Sequence, residues 1–330
     1  MFSMSSADTW TGRLFLFDRE TARLDRLPRA AAMPENLGSA ASARGLVIPF
    51  SHEPLGADQS DLFDLAPEAE GLALLATAEA RKTITARQFE TRLRSRFGAH
   101  EPSRAEQDTV RQELLAEAEA HITGHTGLLD LQTGLALLPE AQARDEWLRG
   151  ILLNACAIAL EPPTTPVISA LLTGWTLGET PIPAPFKPGH AIALESPLDG
   201  SKSAFDGCLV SSADIRAQIL EYQRFPVRMA LRNADIELEV RDPFAVRVAI
   251  EHSGLRALRK EASNASSAAQ HRAYLQALAP RLRPVLMWLT THFSASPHTT
   301  PWQHPAGQRD DLLALLGTAH ALSSPVCPDA

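Results

Sequence analysis

The sequence predicts an α+β fold, and three observations support this class. Apolar residues alternate with polar ones over residues 225–250, the pattern of antiparallel strands with one buried face. Two helices with clear start signals stand outside that region, and a long helical pattern follows it over residues 268–292. Parallel α/β folds alternate strands and helices regularly, and this sequence does not. We therefore expect antiparallel sheets with packed helices.

The period-two region divides into three strands, at residues 225–231, 236–240 and 244–250. Turn-forming residues separate them at 233–235 and 242–243, including Asn, Asp and Pro. Short connections of this kind join neighbouring antiparallel strands. The segment therefore predicts a β-meander.

The N-terminal half shows shorter elements. Apolar runs at residues 14–17, 46–50 and 72–76 are each bounded by glycine, proline or charged residues, which predicts brief strands. Two further runs, at 127–131 and 134–138, are separated by only two residues. This spacing predicts a β-hairpin.

Two helices are predicted between these strands. Thr85 and Gln88 form a capping box, and Gly98 stands where the first helix should end. Ser103 and Glu106 form a second capping box a few residues later. The short connection predicts an αα-hairpin. The apolar seam of the first helix is Phe89, Leu93 and Phe97, and the buried stripe of the second, which should end near Gly124, is Val110, Leu114, Ala118 and Ile122.

Composition excludes several classes of protein. The chain has 330 residues, 45% of them hydrophobic and 21% charged, which suffices for a core and excludes general disorder. No apolar run approaches the ~20 residues of a membrane span, and the N-terminus lacks a signal-peptide pattern. The three cysteines are widely separated, so neither a disulfide framework nor a zinc ribbon is expected. We expect a cytoplasmic protein without a membrane partner.

The common catalytic signatures are missing, so we expect no enzyme, cofactor or metal. Neither GxGxxG, GxxxxGK[ST], GxSxG nor HExxH occurs. His121 and His125 have the i, i+4 spacing of metal ligands on a helix, but Gly124 lies between them and no third ligand is near. Cys208 precedes apolar residues without a flanking base, which predicts a buried thiol. A carboxylate set that could hold a divalent ion, or form only a solvated loop, is Asp58, Asp61 and Asp64.

Charge is segregated along the chain, whose formal net charge is −8. Residues 53–80 hold acids and no Lys or Arg, whereas residues 81–97 hold six cations and one acid. Spaced arginines on a rigid helix pair can bind phosphates without reading bases. The alternative is a solvated helical face with i, i+4 ion pairs.

Several short motifs, in order and at similar spacing, resemble the RdgC family of bacterial recombination-associated proteins. Leu209-Val-Ser-Ser-Ala-Asp-Ile215 stands where the family reads Asp-Leu-Thr-Ser-x-Glu-Ile, and Leu114-Leu-Ala-Glu-Ala118 resembles its Leu-Leu-Pro-x-Ala. Leu171-Leu-Thr-Gly-Trp175 and Val227-Arg-Met-Ala-Leu231 also match in place. The resemblance runs from about residue 13 to 293.

The resemblance implies an RdgC-like α+β fold with a helical finger, and a ring-shaped homodimer that encircles double-stranded DNA without sequence preference. It implies a nucleoid-associated protein that restrains RecA, acting through the DNA. We expect a central domain at 1–80 and 120–163, a finger at 81–119 and a base domain at 164–294. A Pro/His-rich tail at 295–330 goes beyond the family pattern. The DNA-binding candidates are Arg81, Lys82, Arg87, Arg92, Arg94, Arg96, Arg104 and Arg111, with Arg216, Arg224, Arg228 and Arg232 as weaker ones.

The chain also departs from the family pattern. Glu119 stands where the family's finger has an aromatic residue, Asp206 and Gly207 stand near a gate that is basic in the family, and Asn233 aligns with a tryptophan. Two alternatives stay open, the first of which is motivated by Glu119, Asp206 and the acidic run at 53–79. One is a protein-interaction factor that keeps the fold with weakened DNA binding, and the other is a metal-dependent nuclease that uses the aspartates of residues 58–64.

Overall fold

The computed structural model describes residues 8–27, 31–34, 36–54, 71–162, 168–241, 245–264 and 268–293. Within these ranges one ten-stranded sheet is packed with eight α-helices, which confirms the α+β class. The predicted tail at 295–330 and the aspartates at 58–64 lie outside the described residues. Within the same ranges, no helix combines the length and the apolar content that crossing a bilayer requires.

Every neighbouring pair of strands in the sheet is antiparallel. The strands are β1 (Asp8–Leu16), β2 (Ser42–Leu46), β3 (Leu72–Lys82), β4 (Ala120–Asp130), β5 (Leu135–Leu138), β6 (Lys187–Glu195), β7 (Lys202–Asp206), β8 (Phe225–Asn233), β9 (Ile236–Arg241) and β10 (Ala245–Ile250). Their spatial order is β2-β3-β4-β5-β1-β10-β9-β8-β6-β7. The meander β8-β9-β10 and the hairpin β4-β5 are confirmed, and β1 joins them into one sheet. The domain boundaries stay a prediction.

The helices are α1 (Ala86–Phe97), α2 (Arg104–Glu117), α3 (Glu140–Ala143), α4 (Glu146–Cys156), α5 (Ile168–Leu177), α6 (Ala213–Leu220), α7 (Ser253–Asn264) and α8 (Ala268–Phe293). A short 3-10 helix covers Leu24–Arg26. The long C-terminal helix predicted at 268–292 is α8. The two capped helices, α1 and α2, are inserted between β3 and β4, so the helical hairpin continues a β-ribbon.

The two faces of the sheet are covered differently. The buried side chains of α5 to α8 pack on the first face with alternate strand residues such as Leu238, Val240 and Val248. On the second face, α3 and α4 pack on β1 to β5, around residues such as Phe15 and Leu129. In the described chain no residue of β6 to β10 joins this second core. That part of the second face is therefore occupied by small and charged side chains.

The helix predicted to reach Gly124 is wrong at its C-terminal end. α2 ends at Glu117, and β4 begins at Ala120. The outer half of β3 pairs residue by residue with this segment, from Lys82 opposite Ala120 inward. Residues 123–127 contain two threonines and two glycines, which are poor helix formers, so strand pairing prevails. Ile122 of the predicted stripe is 40% exposed.

The short N-terminal strands also differ from the prediction. β2 ends at Leu46, where the predicted strand at 46–50 begins. Phe50 and His52 have φ angles of 69° and 58°, which an extended strand does not accommodate. β1 and β3 are longer than predicted. Because β3 runs to residue 82, Arg81 and Lys82 belong to the sheet rather than to the helical hairpin.

Candidate nucleic-acid interface

The finger is the helical hairpin of α1 and α2 with its flanking residues, 81–119. Both predicted capping boxes form, and Gly98 ends α1 with a φ of 59°. α1 has no fully buried side chain and α2 has only Val110. The guanidinium of Arg111 lies 5.3 Å from the centre of the Phe89 ring, so the predicted seam of α1 faces α2. Most of the finger surface is therefore available to solvent or to a partner.

Two of the predicted DNA-binding arginines of the finger are bound to glutamates of α2. Arg92 donates to both carboxylate oxygens of Glu117, at 3.2 and 2.5 Å, and this hydrogen bonding raises the pKa of Arg92. Arg96 donates to both oxygens of Glu113 at 2.7 Å. A phosphate at either position must displace a carboxylate. Both arginines are therefore ion-paired, but between α1 and α2 rather than at the i, i+4 spacing of the alternative in the sequence analysis.

Three other finger arginines are available to bind a phosphate. Arg87, Arg94 and Arg104 are exposed, and each lacks a hydrogen bond or ion pair to the described residues. Arg87 and Arg94 lie seven residues apart, so they share one face of α1 with about 10 Å between their Cα atoms. Eight basic and seven acidic residues leave the whole finger with a net charge of only +1.

Arg81 and Lys82, at the end of β3, bond to the protein itself. Arg81 donates to Glu79 at 2.8 Å, and this hydrogen bond lowers the pKa of the Glu79 carboxyl. The Lys82 ammonium donates to the backbone carbonyls of Gly38, at 2.9 Å, and Leu115, at 2.7 Å. Lys82 therefore ties the finger to the sheet.

A second basic surface lies on the sheet. We name it the open face: the second face of β1, β10, β9, β8, β6 and β7, beyond the core formed by α3 and α4. It is opposite the positions that pack against α5 to α8, because successive side chains of a strand point to opposite faces. Its arginines are Arg13, Arg228, Arg232, Arg241 and Arg247, and they share it with Glu237, Glu239 and Asp206.

Buried small residues lie between the arginines of the open face. Ala230 and Ala249 are 2% and 1% exposed although no apolar core covers them on this side. Long side chains cover such alanines with their aliphatic parts while their charged ends reach solvent. Arg13 donates two hydrogen bonds to Glu140, at 2.7 and 2.9 Å, which lower the pKa of that carboxyl. The Arg13 guanidinium is thus held in place at the surface.

The four weaker DNA-binding candidates from the sequence lie in three different places. Arg228 and Arg232 lie on the open face, on one side of β8. Arg216 is exposed on α6, which packs on the first face of the sheet. Arg224 donates to Ser201 and Ser203, as well as to Gln218, so it braces the β6–β7 turn.

The sequence analysis missed Arg13, Arg241 and Arg247. These three arginines are isolated in strands and belong to no basic run. The signal was the alternation itself, since Arg241 and Arg247 occupy the polar positions of the meander. That β1 brings Arg13 to the same face follows only from its long-range pairing with β10.

Other candidate residues show no assembled chemistry. His121 and His125 lie on β4 rather than on a helix, so the predicted helical pair is wrong. No group of three or more metal-ligating side chains occurs in the described residues. Cys208 is exposed rather than buried, because it follows the turn residue Gly207 after β7. Glu119, the last residue of the finger, is exposed.

No protein-family model matches this chain, and no curated protein matches it significantly. The likeness to the RdgC family therefore stays a prediction from short motifs.

Proposed function

We propose that this protein binds double-stranded DNA through the phosphate backbone, without reading base sequence and without catalysing a reaction. The observation that carries the proposal is the open face, on which five arginines stand on adjacent strands of one sheet. Four of them lie beside a carboxylate that a phosphate must displace, and Arg232 has no such partner among the described residues. Guanidinium groups bind phosphate oxygens in pairs, and contacts to phosphate fix a protein on DNA without selecting a sequence.

The geometry of the open face suits an extended anionic ligand. Arg13, Arg241 and Arg228 fall in one row across β1, β9 and β8. Strands lie about 4.8 Å apart, so the row spans about 14 Å. The open finger arginines add a second basic surface. Two separated contacts of this kind resist rotation of a duplex better than one.

In our proposal two copies close around the duplex as a ring, and RecA-dependent recombination is restrained because the DNA is occupied. This part rests on the resemblance to the RdgC family. A closed ring is compatible with a net charge of −8, since only the inner surface has to be basic. It would place the protein on the nucleoid.

Reversal of one open-face charge tests the DNA site. Arg232→Glu should weaken binding of duplexes of unrelated sequence equally, by about fivefold or more, and reduce the salt slope by about one. Arg256→Glu makes the same charge change on exposed α7, which packs on the other face, and should have little effect. Equal losses in both variants would mean that net charge, not the open face, governs binding.

A second candidate function is a protein-interaction factor with weak DNA binding. The ion pairs Arg92–Glu117 and Arg96–Glu113 favour it, since they neutralise much of the finger. Under this alternative the finger contacts a protein. Glu113→Gln with Glu117→Gln then leaves DNA affinity unchanged, whereas a DNA-binding finger would bind more tightly once its arginines were released.

A further inference from the structure

We propose that Arg228 and Arg241 together form an oxyanion site that holds one phosphate group. The inference rests on the proposed function, because it names the point on the open face where a phosphate is fixed. It also makes a separate claim, since a site for a single phosphate would bind the free ion as well as a backbone.

The first argument is the register of the two arginines. Arg228 of β8 lies directly opposite Arg241 of β9, and directly opposed residues in antiparallel strands point to the same side. Like charges at such positions destabilise a sheet. An anion bound between the two guanidinium groups removes that repulsion, so binding would offset the destabilisation that this pair causes.

The second argument is that the protein neutralises the pair incompletely. Arg241 is satisfied in part by Glu239, which accepts a hydrogen bond from its Nε at 2.5 Å. Among the described residues, Arg228 has only a distant contact with Asp206, at 3.5 Å, and the Asp206 side chain is 75% exposed. The Nε of Arg228 is buried without a hydrogen-bond partner in the described part of the chain. A buried N–H of this kind costs free energy until an acceptor reaches it.

The third argument is the space beside the pair. Along the same row, Ala245 of β10 precedes Arg241 and Ala193 of β6 follows Arg228. Ala204 of β7 continues the row. Small side chains on both sides leave room for a tetrahedral group above the sheet. Arg228 and Arg241 stand on neighbouring strands, so one such group that draws both guanidinium groups away from Asp206 and Glu239 receives the bidentate donors that phosphate prefers.

Asp206 has a specific role in this arrangement. Its carboxylate is the anion that the protein itself offers to Arg228, at a distance too long for a strong hydrogen bond. An incoming phosphate competes with it. Removing the Asp206 charge should therefore strengthen phosphate binding, whereas removing either arginine should weaken it.

The test is calorimetric titration of the full chain with inorganic phosphate, at an ionic strength held constant with chloride. Saturable binding of one phosphate per chain is expected. Arg228→Met and Arg241→Met should each weaken it about tenfold or more, and Asp206→Asn should tighten it severalfold. Arg232→Met, on the same face of β8, is the matched control and should stay within about twofold. Far-UV circular dichroism establishes that each variant is folded.

The outcomes separate the site from the proposed function. Absence of saturable binding by the wild type, or an equal loss in Arg232→Met, overturns the site while duplex binding can persist. Binding of phosphate without binding of a 30-base-pair duplex retains the site and rejects the DNA function. If both arginine variants unfold, Asp206→Asn decides, because tighter binding supports the site and unchanged affinity refutes it. If duplex and phosphate compete, the DNA backbone supplies the ion; without competition a free phosphoryl compound does.

Discussion

Arg283 of α8 donates two hydrogen bonds to the carboxylate of Asp130, at 2.9 and 3.1 Å, and joins the C-terminal helix to the β4–β5 hairpin. The Asp130 side chain is fully buried and also accepts from the Thr133 hydroxyl at 2.8 Å. One carboxylate therefore fixes both a turn and a helix. The contact bridges the two regions that the sequence assigns to the central and base domains.

Asp130→Ala should destabilise the protein by about 3 kcal/mol, because it removes a fully buried carboxylate to which the Arg283 guanidinium and the Thr133 hydroxyl donate. Urea unfolding followed by circular dichroism measures the change. Glu221→Ala, at an exposed position after α6, is the control and should change stability by less than about 0.5 kcal/mol. Similar losses in both variants would show that the pair contributes nothing specific.

Tyr274→Phe should also destabilise the protein, by about 2 kcal/mol. The buried Tyr274 hydroxyl donates to Asp8 at 2.5 Å and accepts from the Trp10 indole N–H at 3.1 Å. Phenylalanine fills the space but takes the acceptor from the Trp10 indole N–H and one of the donors from Asp8, which keeps its ion pair with Arg259. Tyr222→Phe is the matched control, since Tyr222 is 58% exposed. The free energies of unfolding in urea distinguish the two; equal values would contradict the account.

The same tyrosine predicts an alkaline limit of stability. Burial, and next the Asp8 carboxylate, raise the pKa of Tyr274 well above its usual value. In the unfolded chain a tyrosine ionises near pH 10. The unfolded state therefore loses a proton first, and stability should fall as pH rises above about 10. Thermal melts between about pH 8 and 11 should show this fall in the wild type and a shallower one in Tyr274→Phe.

Two glycines should respond oppositely to alanine. A Cβ on Gly12 of β1 would lie 2.3 Å from the backbone oxygen of Leu138, so Gly12→Ala must displace β5 and destabilise the sheet. A Cβ on Gly150, inside α4, meets nothing within 4 Å. Gly150→Ala should stabilise the protein by about 0.5–1 kcal/mol. Thermal melting points that shift in the same direction would contradict the β1–β5 packing.

The finger can be tested with two pairs of arginines. Arg87→Ala with Arg94→Ala removes exposed cations that lack partners among the described residues, and should weaken duplex binding at least severalfold. Arg92→Ala with Arg96→Ala removes cations already paired with glutamates and should have a smaller effect. Fluorescence anisotropy at one salt concentration compares them. A larger loss from the second pair would mean that the ion pairs open on DNA.

Local signals predicted the elements whose cause is local. The capping boxes at Thr85 and Ser103 fixed the starts of α1 and α2, because a helix begins where its free N–H groups find acceptors. The alternation of apolar and polar residues predicted the meander, because successive side chains of a strand point to opposite faces of the sheet. The helical spacing of apolar residues gave a wrong prediction at Ile122, because the pairing of β4 with β3 outweighs it.

The candidate site was predictable only in part. The finger arginines were visible as a charge run, but their glutamate partners on α2 depend on how the two helices pack. The open face depends on strand order. No local signal places β1 beside β10, because these strands are far apart in the sequence. Arg228 lies opposite Arg241 only because of the register in which β8 pairs with β9.

The most direct test of the central claim is fluorescence anisotropy of a labelled 30-base-pair duplex, titrated with the full chain from about 50 to 200 mM salt. If about six phosphates are neutralised, the logarithm of the binding constant falls against the logarithm of the salt concentration with a slope of about −5. We expect micromolar or tighter binding at low salt, with the same affinity for unrelated sequences. Absence of binding at 50 mM salt would contradict the account and direct attention to a protein partner.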